Sequence, residues 1–132
     1  MTELTLEQAH KLIHAGRTHA ESIGLKCTLA VVDSGGHLIA LERMDGALLA
    51  SLETTQVKAR TSVYFGAPTR ALPMDKPFTP ALLGGVSYPL AFVPGGVPIR
   101  LEGRLVGSFA VGGGSSEQDE NTVQAGLLAL EG

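Results

Sequence analysis

Apolar residues recur at helical spacing from the start of the chain. Leu6, Ala9, Ile13, Gly16 and Ala20 fall on one face, and Glu7, Lys11, His14, Glu21 and Ser22 fall largely off it. Thr5 followed by Gln8 fits an N-cap with a capping box, and Gly24 closes the helix as a C′ glycine. The period then changes. Cys27 to Val32 is a run of small and β-branched apolar residues, and His37 to Met44 nearly alternates polar with apolar. Asp33-Ser34-Gly35-Gly36 between them supplies two glycines free to take positive φ, so the two runs predict a hairpin. Helical spacing returns over Ala47 to Phe65, with Leu48, Leu52, Thr55, Ala59 and Val63 as the inner stripe and Gly66-Ala67-Pro68 as the stop.

Thr69 to Pro89 has prolines at 73, 77, 80 and 89 and reads as an irregular excursion, with a short helical turn near Pro80 to Leu83. So long a stretch in a compact domain serves as a lid, a binding loop or an oligomer contact. Leu90 to Val93, Val97 to Leu101 and Arg104 to Val111 read as three further strands, separated by Pro94-Gly95-Gly96 and Glu102-Gly103. Gly112-Gly113-Gly114 leads into serines and acidic residues that suit a helix start, and Val123, Leu127, Leu128 and Leu130 follow on a closing helix.

The order is α-β-β-α-β-β-β-α, a profilin-like sequence of elements. Strands joined by tight turns argue for an α+β fold: one domain over residues 1–132, a five-stranded antiparallel sheet, and helices over one face. Covering the other face calls for a second helix layer or a partner, and so short a chain favours a homo-oligomer.

Composition narrows the function. Hydrophobic residues make up 44% of the chain and charged residues 17%, which sets it apart from disordered sequences. A net charge of −3 and the lack of cations interleaved with aromatics argue against nucleic acid. The N-terminal stretch lacks the basic and apolar regions of an export signal, and no apolar run is long enough for a membrane helix, so a cytoplasmic location is expected. The single cysteine, Cys27, lies within a predicted strand and reads as a small buried hydrophobe.

Several stretches together resemble the GlcG/HbpS-like domain, a family labelled haem-degrading that also forms the C-terminal part of PduO-type proteins. They are LTLEQA at 4–9, AVVDSGGHLIALERMDGA at 30–47, QVKARTSVYFGAPT at 56–69, FVPGGVPI at 92–99 and LVGSFAVGGGSSEQDE at 105–120. The resemblance implies a compact domain with an antiparallel sheet, a symmetric oligomer, ligands at subunit clefts, and haem or a related tetrapyrrole as a possible cofactor.

Candidate residues follow from side-chain chemistry. His10 and His14 are one helical turn apart and share a side. Either could ligate haem iron, with His14 the candidate for a metal, or both could be solvated helix residues. His19 is expected at the surface, and His37 either closes a turn hydrogen bond or faces a cleft. Arg43 and Asp45 are placed to pair with each other. Lys58 and Arg60 are either exposed helix cations or, if Lys58 is desolvated, part of an acid–base set with Arg43 and Glu117. Gly113, Gly114 and Ser115 form either a backbone anion site or a well-capped structural turn. Two functions compete: a small-ligand-binding protein, and a cofactor-independent isomerase, lyase or hydratase acting on a small anionic metabolite.

Overall fold

The computed structural model describes residues 3–131. Helix α1, Leu6–Ser22, starts with the expected capping box. The Thr5 hydroxyl accepts from the Gln8 N–H at 3.1 Å, and Gln8 Oε1 accepts from the Thr5 N–H at 2.9 Å. Strands β1, Thr28–Asp33, and β2, Leu38–Arg43, form the hairpin. Asp33 fixes its turn: one carboxylate oxygen accepts from the N–H groups of Gly35 and His37, both at 2.9 Å, and Gly36 takes φ +83°. Helix α2, Ala50–Phe65, follows, and then a single 3₁₀ turn at Thr69–Ala71 and the short helix α3, Thr79–Gly84. Strands β3, Gly96–Leu101, and β4, Arg104–Gly112, lead into helix α4, Ser116–Glu131.

The sheet is antiparallel throughout, in the order β2-β1-β4-β3, and has four strands rather than five. Leu90 to Val93 is the segment that does not pair. Prolines at 89 and 94 frame it and remove ladder donors. The Ala91 N–H goes to Thr61 Oγ1 on α2 at 3.0 Å, not to a strand. The Phe92 ring turns inward and meets Phe65 edge-on at 5.6 Å. An apolar run of four residues has the same pattern whether it joins a ladder or lies against a helix.

The helices cover both faces of the sheet. α1 and α4 pack on each other and on one face, while α2 packs on β1, β4 and β3 from the other. Side chains sort by strand alternation: Leu29, Val31, Phe109 and Val111 join Leu12, Ile13 and Val123 on the first side, and Val32 and Ala110 join Ala59 and Val63 on the second. The expectation of helices on one face only, with a partner covering the other, is therefore corrected: α2 supplies the second layer.

The buried face of α2 also differs from the predicted stripe. Leu48 precedes the helix and is 66% exposed, and the buried residues are Ser51, Thr55, Lys58, Ala59, Thr61, Ser62 and Val63. Hydroxyls can be buried here because most find partners. Ser51 Oγ donates to Leu48 O and lies 2.8 Å from Thr28 Oγ1; Thr61 donates to Val57 O and Ser62 to Ala67 O; from β4, Ser108 Oγ donates to Ala59 O. Among the described residues, no helix is long and apolar enough to cross a membrane.

Candidate functional site

The two helix layers meet beyond the end of β4. The chain leaves the strand at Gly112, turns through Gly113 at φ +121°, and enters α4. From the opposite face, Lys58 of α2 reaches into this junction. Its Nζ donates to Val111 O at 2.7 Å, to Pro94 O at 3.1 Å and to Asp119 Oδ2 at 3.1 Å. Both side chains of the ion pair are nearly fully buried. The other oxygen of Asp119 accepts from the Gly114 N–H at 2.9 Å. One ammonium thus ties α2, the turn at Pro94, the end of β4 and the first turn of α4. Gly95 permits the approach: a Cβ there would lie 2.6 Å from both Lys58 Nζ and Val111 O, at φ +122°.

Above the pair lies a cleft of about 340 Å³. Leu48, Ala50, Val93 and Pro94 give it apolar walls; Ser51, Thr54 and Ser116 contribute hydroxyls; Gly113 and Gly114 form its backbone edge; and Lys58 and Asp119 make the floor.

Of the predicted site residues, Lys58, Gly113 and Gly114 come together here. Ser115 lies beside the cleft and caps α4: its Oγ accepts from the Gln118 N–H at 3.1 Å, and its own N–H donates to Gln118 Oε1 at 3.0 Å. Together with the Asp119–Gly114 bond, this satisfies much of the Gly-rich junction internally, as the structural reading of that turn expects. Glu117 is exposed and does not line the cleft. The carboxylate in that role is Asp119, which sequence reasoning passed over. Its signal was its phase, since Asp119 shares the buried face of α4 with Thr122, Val123 and Gly126.

The other candidates lie elsewhere. Arg43 is exposed and forms no ion pair with Asp45 among the described residues. It borders a charged hollow of about 460 Å³ with Arg17, Lys26 and Glu42, where Arg17 pairs with Glu42 at 3.3 Å. Arg60 lies over the Tyr88 ring, 5.0 Å from its centroid. His10 and His14 are both exposed, and His14 Nδ1 lies 3.3 Å from an Arg17 guanidinium nitrogen. His37 is exposed and stands 3.3 Å from Asp33, so it belongs to the turn. His19, expected at the surface, is half-buried, with its Nε2 shielded and without a partner. Among the described residues, no group of three or more His, Cys, Asp or Glu gathers to hold a metal ion.

Cys27 is buried behind the junction and donates its S–H to Met44 Sδ at 3.6 Å. Burial pushes its thiol pKa up to about 12; the Asp119 carboxylate adds to the rise and Lys58 opposes it.

An α+β domain with a four-stranded antiparallel sheet, helices on both faces and a buried lysine–aspartate pair beneath a small cleft is the class these features define. The chain belongs to the HbpS-like family, described as haem-degrading, whose family model matches residues 4–128. Protein GlcG of Escherichia coli K12 is 31% identical over 109 residues, covering 82% of this chain and 80% of GlcG. Among solved structures, a double mutant of Streptomyces reticuli HbpS superposes with a TM-score of 0.87 at 33% identity, over 98% of this chain and 88% of that one. A PduOC:heme complex superposes with a TM-score of 0.86 at 27% identity, over 97% and 95% of the two chains.

Proposed function

We propose that this chain is a small-ligand-binding protein whose ligand enters the cleft above Lys58 and Asp119. The observation that carries the reading is the convergence of four chain segments on one buried ion pair beneath apolar walls. Ligand sites combine an apolar lining with a few fixed polar groups in this way. The same geometry weighs against the acid–base alternative. Lys58 has all three N–H bonds engaged, and Arg43, Arg60 and Glu117 lie outside the cleft. Titration of ¹⁵N-labelled protein with a library of small metabolites tests the reading. A true ligand moves the amide resonances of Gly113, Gly114 and Ser116 saturably, and a library whose binders all leave those resonances still would remove the cleft from consideration.

Haem binding is a second reading, supported by the haem carried by PduOC and by two exposed imidazoles one turn apart on α1. Haem iron takes imidazole as an axial ligand, and His10 or His14 would supply it. The cleft itself holds no histidine, cysteine, methionine or tyrosine, so the iron ligand and the Lys58 cleft are separate places on one chain. A partner copy bringing the two together would reconcile the readings. Haemin titration should give a Soret shift that His10→Ala with His14→Ala removes. A shift indifferent to both substitutions would move the iron elsewhere.

A further inference from the structure

The floor of the cleft has an unequal hydrogen-bonding capacity. Lys58 can donate three hydrogen bonds and the fold uses all three, two on backbone carbonyls and one on Asp119. Asp119 has about four acceptor positions on its two oxygens. One bond from Lys58 and one from the Gly114 N–H leave acceptor positions unspent. What remains at the floor therefore accepts rather than donates.

An incoming carboxylate meets this floor at a disadvantage. The cation it would seek is already neutralised by a carboxylate built into the chain. Tethering gives Asp119 an effective concentration of roughly millimolar or more, so a free acid at ordinary concentration does not displace it. Glu117 adds negative charge to the same first turn of α4. A neutral molecule carrying an O–H or N–H group meets none of this opposition. It can donate to Asp119 and hydrogen-bond to the hydroxyls of Thr54 and Ser116, with Leu48 and Val93 against its carbon skeleton. The cleft, about 340 Å³, lies at the small end of ligand pockets, which span roughly 300–1,000 Å³.

We infer that the cleft selects small neutral molecules bearing a hydroxyl or amide donor over the corresponding carboxylates, and that Asp119 is the residue that sets this preference. The inference rests on the cleft being the ligand site. It reverses the expectation of a small anionic ligand that the Gly-rich helix start suggested.

Lactamide and lactate share one skeleton and differ in the group that matters, so they make the test. In ¹⁵N-labelled wild-type protein, lactamide should shift the Gly113, Gly114 and Ser116 resonances saturably, at least tenfold more tightly than lactate. In Asp119→Asn the order should reverse, because the resident carboxylate that competes for Lys58 is gone. Lactate binding the wild type as tightly as lactamide overturns the inference and leaves the cleft standing as a ligand site. Silence of all three resonances with both compounds overturns the cleft reading and the inference with it. The wild-type comparison decides between these outcomes even where Asp119→Asn fails to fold.

Discussion

Lys58 and Asp119 are 61 residues apart in sequence and belong to helices on opposite faces of the sheet, yet their charged atoms lie 3.1 Å apart. The ion pair links the two layers at the end of β4.

Removing one partner alone should therefore be costly. Lys58→Met leaves Asp119 buried without its cation, and breaking a buried pair from one side costs about 3–5 kcal/mol. Chemical denaturation should show a loss of that order, while Lys58→Met with Asp119→Leu should lose clearly less than the two single changes summed. Additive losses would mean that the pair contributes no coupling.

Two helical glycines stand in opposite surroundings, one against Phe109 and one in open space. A Cβ at Gly126 would lie 2.3 Å from Phe109 Cε2, whereas a Cβ at Gly84 of α3 meets nothing within 4 Å. Gly126→Ala should destabilise by about 1–3 kcal/mol through overpacking, despite the better helix former. Gly84→Ala should be neutral or stabilising by up to about 1 kcal/mol. Melting curves should fall for Gly126→Ala and stay or rise for Gly84→Ala.

Cys27 should resist alkylation at pH 8 in the folded protein and react readily in urea. Its folded pKa of about 12 exceeds the ordinary 9.0. The folded state therefore holds its proton where the unfolded state releases it, and the contribution to stability is full below pH 9 and lost as pH rises towards 12. Denaturation midpoints measured across that window should fall with pH, and less steeply in Cys27→Ala.

Tyr88 anchors the return of the 72–88 excursion, with its ring edge-on to Tyr64 at 5.5 Å and beneath Arg60. Tyr88→Ala should cost about 1–3 kcal/mol of global stability, since each of its two contacts is worth about 0.5–1.5 kcal/mol. It should speed limited proteolysis within the excursion much more than it lowers the melting temperature. Unchanged cleavage would mean that the segment is held elsewhere.

The parts of this structure that were legible in the sequence are those encoded by neighbours. Thr5 and Gln8 declare the capping box within one helical turn, and Asp33 with Gly36 declares the hairpin. What escaped depends on partners distant in the chain. Leu90 to Val93 is apolar enough for a strand, but only the Thr61 hydroxyl, 30 residues away, shows where the Ala91 N–H goes. The polar face of α2 defeats a reading by hydrophobic period, because Ser51, Thr61 and Ser62 are buried on the strength of hydrogen bonds that composition does not reveal. Lys58 and Glu117, read from the sequence as parts of one acid–base set, are apart in the structure: Lys58 pairs with Asp119, and Glu117 lies on the exposed side of the helix.

Pinning at both ends has a further consequence for the excursion. Before it, Thr69 Oγ1 accepts from the Gly96 N–H at 3.0 Å and Arg70 pairs with Glu120 at 2.7 Å; after it, Ala91 is held by Thr61. Between these posts the chain supplies no rung to the sheet, and Tyr88 holds its return to α2. The excursion is thus a stretch of this domain open to change in length, where a tag or reporter peptide inserted away from Thr79 should be carried without disturbing the sheet.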